Sequence, residues 1–283
     1  MTLRVLTWNV LRRDLDSRVD LIASRLEEVD ADIVMLQETG PKNAAELAAR
    51  AGYQLSALSS PPIEPEGGSV AILTRHRATD VQAHALPVTG RWAAVDVTVG
   101  ASTVRIASAH LRHTPDAGTM GVDADYRGVA QGREDLENVD NEHVRESVAI
   151  RLAQLDHLGA VFDGCPTPLI FGGDLNFVPN GPEYGEIIGW GLLDTWRAAP
   201  RLGSRATVLN SNPLVSGGPH VYDLIRDTTM PGARGGLDYV LDYQFASTDL
   251  GIEAAWTVGQ PDDDGGPWPS DHLGVVVDYR LAT

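Results

Sequence analysis

The chain has 283 residues, enough for one large α/β or β-sandwich domain or two small ones, with the 43% hydrophobic and 22% charged content of an ordinary globular protein. Its formal charge is −17, and Lys42 is the single lysine. Such an acidic surface disfavours tight, sequence-independent binding to phosphate polymers, although bound divalent cations can reverse the field locally and leave nuclease chemistry open.

In chain order, LRVLTWNV (Leu3–Val10) reads as a buried strand, and the stretch that contains it has no basic-then-apolar leader. RVDLIASRLEEV (Arg18–Val29) places Val19, Ile22, Ala23, Leu26 and Val29 at helical spacing. ADIVMLQE (Ala31–Glu38) is the next expected strand, and NAAELAARAG a helix closed by Gly52. This β-α-β-α order predicts helices layered on a sheet. SVAILTR, RWAAVDVTV and STVRIASAHL then read as short strands in antiparallel hairpins. A long polar segment from His113 to about Glu142 is either a solvated loop or a lid. HVRESVAIRLAQLDHLGAVF (His143–Phe162) predicts an amphipathic helix and TPLIFGG a core strand. A short helix and turn follow in GPEYGEIIGWGLLDTW, then an irregular region from about Ala198 to Gly236. LDYVLDY (Leu237–Tyr243) and LGVVVDYRL (Leu273–Leu281) are the last expected strands. No repeat or linker divides the chain, so residues 1–283 are expected to form one domain. Cys165 stands alone, which excludes an intramolecular disulfide. No apolar run approaches a membrane span, and the expected location is the cytoplasm.

Polar side chains recur at the ends of these apolar strands: Asn9 in TWNV, Glu38 in LQE, His110 in SAHL, Asp174 and Asn176 in GGDLN, Asp238 in GLDYVL, and Asp271 with His272 in PSDHL. Each alone has an ordinary structural reading, as a turn former, a surface carboxylate or a satisfied core histidine. As a set they combine two histidines with several carboxylates. Oxygen-rich donors suit a hard cation such as Mg²⁺ or Mn²⁺, and histidine beside carboxylate suits acid–base work. A zinc site fits less well, since there is one cysteine and no HExxH spacing; no G-x-S-x-G elbow or P-loop occurs either.

In this order TWNV, LQE, AHL, GGDLN, LDYVL and SDH resemble the endonuclease/exonuclease/phosphatase superfamily, from about residue 3 to 279. The resemblance implies a DNase I-like, four-layer α/β sandwich of two mixed β-sheets flanked by helices. It implies a metal held by Glu38, with Asn9 and Asp271 in the same cluster. His272 would be the general base, Asp238 its orienting carboxylate, and Asp174 would position the nucleophile. Asn176 and His110 would hold phosphate oxygens.

For the substrate, PEGGSVAILTR, GDLNFVPNGPEYGEII and HVYDLIRDTTMPGARGGLDYVL are more loosely similar to bacterial neutral sphingomyelinases, from which the single cysteine and absent leader depart. With the acidic charge, this points to a small-molecule or lipid-type phosphoester, cleaved by a sphingomyelinase-like phosphodiesterase or a metabolite phosphatase. Metal-dependent nuclease action is the alternative, and a non-catalytic binding module ranks last. Arg91, Arg112, Arg127, Arg145 and Arg234 are candidates for substrate phosphate, and Trp268 for a cationic head group.

Overall fold

The computed structural model describes residues 1–60, 69–114, 142–179, 181–200, 202–209, 211–215, 238, 240–262 and 265–281. Two mixed six-stranded sheets face each other. The first holds β11 (Gly251–Val258), β12 (Gly274–Arg280), β1 (Thr2–Asn9), β2 (Ile33–Gln37), β4 (Val70–Thr74) and β3 (Gln54–Ser59), in that spatial order. The second holds β5 (Arg77–Ala85), β6 (Arg91–Val99), β7 (Ser102–His110), β8 (Leu169–Asp174), β10 (Asp242–Ala246) and β9 (Leu193–Asp194). Helices α1 (Val19–Val29) and α2 (Pro41–Arg50) cover the outside of the first sheet. Helices α3 (Glu142–Phe162) and α4 (Pro182–Gly189) cover the second, and a short α5 (Thr195–Ala198) follows β9. These are the four layers implied by the motif resemblance.

The two-residue period of a strand explains the layering. In β1, Leu3 and Val5 join the core between the sheets, with Val95, Ile106, Ile170 and Val277. Leu6 and Trp8 point the other way, into the helical layer with Ile22, Leu26, Ala44 and Leu47. A strand buried on both faces carries an almost unbroken apolar run, which is why LRVLTWNV is so legible. On the opposite side, Trp92, Ala107 and Phe171 pack beneath Leu155, Leu158 and Ile187.

One late strand and three edge strands differ from the sequence reading. The late strand is Asp242–Ala246, not Leu237–Tyr243. Strands β3, β5 and β11 lie at or beside sheet edges and carry mixed polar sequence; β5 is exposed or half-exposed throughout. An edge strand buries too little to impose alternation on its sequence. The proposed lid over 113–142 lies almost wholly outside the described residues.

Parallel pairing aligns Asn9 with Gln37 and His110 with Asp174, and antiparallel pairing aligns Asp242 with Asp174. The C-terminal ends of β1, β2, β7 and β8 therefore meet the start of β10 at one rim. Gly172 and Gly173 let β8 reach that rim between its neighbours. A Cβ on Gly172 would lie 2.5 Å from the Tyr243 carbonyl oxygen, and one on Gly173, at φ +139°, would lie 1.9 Å from that of Ala109. Gly173→Ala should therefore cost roughly 3 kcal/mol or more in urea unfolding, as strained glycine replacements do. Gly185→Ala, in α4 with open space around it, should be neutral or slightly stabilising. Equal stability of the two variants would contradict this account of the rim.

Candidate active site

The rim gathers the polar residues of several strands into one cluster. Asn9, at the end of β1 and 1% exposed, donates from Nδ2 to Glu38 Oε1 at 3.0 Å and to Asp174 Oδ2 at 2.8 Å. Its Oδ1 accepts from the Leu11 N–H at 3.0 Å, which fixes the amide orientation. Glu38 follows β2 with φ of +60°, a conformation that costs energy for a side chain without local compensation. The Arg12 N–H donates to its Oε2 at 3.2 Å. Asn176 also has positive φ, +54°, and closes a tight turn by donating its N–H to Asp174 Oδ1 at 3.1 Å. Its Nδ2 donates to the Leu111 carbonyl, so Asn176 fixes the turn.

His110 Nε2 lies 3.5 Å from Asp174 Oδ2 and 3.9 Å from Glu38 Oε1. His272 Nε2 lies 3.9 Å from the same Asp174 oxygen, while its Nδ1 is 2.8 Å from Asp242 Oδ2. The carboxylate that orients the His272 imidazole is thus Asp242. Asp238, expected in that role, is exposed four residues upstream. The reason is register: Asp242 is the residue that β10 pairs with Asp174. The sequence carries LDY twice in LDYVLDY, and the second copy is the one that enters the sheet.

The loop carrying Asp271 and His272 is braced from below. Ser270 Oγ donates to the Asn9 carbonyl at 2.6 Å and approaches Asp271 Oδ1 at 3.3 Å. Asn212 donates to the Ser270 carbonyl and Trp8 Nε1 to that of His272. Arg18 crosses between loops: its guanidinium donates to the carbonyls of Val10, Leu11, Arg13 and Pro269. None of these brackets was singled out as a site residue by motif, because they act through backbone carbonyls. The candidate phosphate arginines separate: Arg91 pairs with His110 across β6 and β7, and Arg112 and Arg145 are described, whereas Arg127 and Arg234 lie outside the described residues. Trp268 is half-buried.

Charge decides what this cluster can hold. Glu38, His110 and Asp174 present ligand atoms within 4.8 Å of one another, as do Asp174, Asp242 and His272. Asp271 falls outside both groupings. Burial, resisted by His272 and reinforced by Asp242, raises the Asp174 pKa. Burial likewise raises that of Asp271, against His272 and with Glu38 and Asp174. For Glu38, burial opposes ionisation, but His110, the Asn9 hydrogen bond and the Arg12 N–H win and hold it low. For His272, burial opposes the charged form, yet Asp242, Asp174 and Asp271 carry its pKa well above the usual histidine value. Asp242 Oδ1 is buried with no hydrogen-bond partner. A surplus of buried carboxylate, held by oxygen and imidazole donors, fits a hard divalent cation.

Metal binding should consequently release protons. In the metal-free cluster the protonated forms of His272, Asp174 and Asp271 are favoured relative to the free side chains, and an arriving dication lowers all three pKa values. In titration calorimetry near neutral pH, the apparent enthalpy of Mn²⁺ or Mg²⁺ binding should vary with the ionisation enthalpy of the buffer, and less so for His272→Gln. An enthalpy independent of buffer would contradict this electrostatic picture.

Comparison with known proteins agrees with this fold. No curated protein sequence matches the chain. Among solved structures, the fold is similar to humanized D. rerio TDP2, with a TM-score of 0.65 and 18% identity over 99% of both chains. It is similar to D. rerio TDP2 complexed with single strand DNA product, with a TM-score of 0.63 and 19% identity over 99% of both. It is also similar to a mannosyl-6-phosphatase of Bacteroides thetaiotaomicron, with a TM-score of 0.66 and 15% identity over 99% of this chain and 100% of that one. The model of the Endonuclease/Exonuclease/phosphatase family matches residues 6–272. The chain belongs to that family.

Proposed function

We propose that this protein is a Mg²⁺- or Mn²⁺-dependent hydrolase of a small-molecule or lipid-type phosphoester. The observation that carries this reading is a buried His272–Asp242 pair facing, across 3.9 Å, the carboxylate that shares Asn9 with Glu38. Glu38 would hold the cation with Asp271 at the same rim, and Asp174 and His110 lie close enough to join them. Asn9, expected as a ligand, turns its Nδ2 to the carboxylates and its Oδ1 to the Leu11 N–H, and so would orient Glu38 and Asp174 instead. The cation, when bound, would neutralise nonbridging phosphate oxygens as charge builds on them. Asp242 holds the His272 Nδ1–H, which leaves Nε2 as the lone-pair nitrogen that takes a proton from water. Asp174, beside that nitrogen, would hold the water for in-line attack. His110 would donate to a phosphate oxygen, and Asn176 would keep Asp174 in its rotamer while its loop lines the same rim.

The acidic charge of −17 and the single lysine favour a compact substrate over a long polyanion. Nucleic acid cleavage is the second reading. The D. rerio TDP2 structure with single strand DNA product favours it, as the mannosyl-6-phosphatase favours the first.

Two measurements test the assignment. Chelator should abolish hydrolysis across a panel of sugar phosphates, sphingomyelin, bis-nitrophenyl phosphate and plasmid, and Mg²⁺ or Mn²⁺ should restore it. Full activity in chelator, or nicking of plasmid far faster than any small or lipid ester, would overturn the respective half of the proposal. Second, His272→Ala should lose about 10²-fold or more in kcat, as for a general base. Asp242→Asn should lose a large part of that, and Asp238→Asn should keep most activity. The reverse order of the two aspartates would refute the Asp242 assignment.

A further inference from the structure

Beside His110 the backbone carries strain that burial does not offset. Between β5 and β6 the Thr89 N–H donates to the Pro87 carbonyl at 2.8 Å, and Val88 between them has φ of +66°. Residues 87–89 are therefore a γ-turn of the rare, positive-φ form. A β-branched residue fits that conformation poorly, and Val88 is 80% exposed, so its own packing does not hold it there. The turn is held from outside. Gln154, on α3 and fully buried, donates from Nε2 to the Pro87 carbonyl at 3.1 Å and to that of Thr89. The other end of the same amide, Oε1, accepts the Arg112 N–H at 3.0 Å.

Both attachments bear on His110. Arg112 lies two residues beyond it in the chain, and Gly90, which follows the turn, lies against it. A Cβ on Gly90, at φ +87°, would stand 2.6 Å from the His110 carbonyl oxygen and 3.3 Å from Gln154 Nε2. The turn then leads into Arg91, which β6 pairs with His110. Arg151, three residues earlier on α3, secures the other side of the Arg112 peptide. It donates to the Arg112 carbonyl at 3.1 Å and to Thr114 Oγ1 at 2.8 Å, and Glu183 Oε1 anchors it at 2.8 Å. The His110 ring has no such fixing. It meets Asp174 and Glu38 only at ion-pair distances of 3.5 and 3.9 Å, so its aim follows its backbone.

We infer that Gln154 is a positioning residue for His110: it holds the strained turn and the Arg112 peptide so that the imidazole reaches a phosphate oxygen. The role rests on the phosphoester-hydrolase reading. The place requires an amide, with one acceptor for Arg112 and two donors for the turn. Glutamate keeps the acceptor but sets a second oxygen against the Pro87 and Thr89 carbonyls, and methionine offers no donor.

The test is a double-mutant cycle with nitrophenyl phosphate and bis-nitrophenyl phosphate as monoester and diester probes, with Mn²⁺ present and rates taken per mole of folded protein. Gln154→Glu should lower kcat by about tenfold or more with KM within about twofold, as when a group acting in the transition state is slightly misplaced. In a His110→Ala background the same substitution should cost less than about twofold, because the side chain it aims is gone. A merely structural role would cost the same in both backgrounds. Equal losses, or no loss in the wild-type background, would overturn the inference. Gln154→Met runs the same cycle if the buried carboxylate of Gln154→Glu prevents folding. A second readout needs neither metal nor turnover. The His110 ring resonances should shift in the Gln154 variant while those of His272, held by Asp242, stay in place. If wild-type protein hydrolyses neither probe, the hydrolase reading fails, and the positioning of His110 is judged by these resonances alone. An unmoved His110 ring, or equal shifts in both rings, would overturn it.

Discussion

The structure is organised around the cost of burying carboxylates together. Asp174 and Asp242 are each 2% exposed, and Glu38 and Asp271 are half-buried at the same rim. Unpaired charge in such surroundings is expensive, and like charges within a few ångströms raise that cost. The chain offsets part of it. One Asn9 amide serves both Glu38 and Asp174, and His272 sits between Asp242 and Asp174. The remainder appears as raised pKa values on Asp174 and Asp271, a cost that a cation bound beside them would relieve.

Holding that cluster requires two sheets that meet at one rim. Beneath it lies a polar layer between the sheets. Gln37 donates to Thr7, Ser108 and the Met35 carbonyl, and Gln244 ties β10 to β1 and β12 while accepting from Tyr279. These bonds specify how the second sheet sits on the first, since a slip would leave several buried amides unpaired. Arg18 serves the same end at the surface, because four carbonyls from two loops converge on one guanidinium. The left-handed backbone at Glu38 and Asn176 is local strain that this scaffold holds in place.

Much of this was legible in the amino-acid sequence, for a physical reason. Strands buried on both faces have continuous apolar runs, so β1, β2, β7 and β8 could be read, and with them the polar residues at their ends. Asn9, Glu38, His110 and Asp174 meet in space because those strands end together, and His272 joins them from the loop that precedes β12. Asp238 misled because LDY occurs twice, four residues apart, and only the pairing of β10 with β8 tells which copy faces Asp174. The second LDY runs directly into QFA, the apolar stretch that forms β10, and that was the available signal. The edge strands stayed hidden because exposure removes the pattern that marks a strand, as in RATDVQAHA. Ser270 and Asn212 bond to carbonyls far away in sequence, as Arg18 does to Pro269, and no motif encodes such partners.

The central claim is that His272, oriented by Asp242, activates water for direct attack on phosphorus, rather than Asp174 attacking as a carboxylate nucleophile. Hydrolysis of an ester made chiral at phosphorus by isotopic oxygen or sulfur, with the metal present, tests this most directly. One in-line attack by water predicts inversion of configuration at phosphorus. Retention, the outcome of two successive displacements through an aspartyl-phosphate, would contradict it.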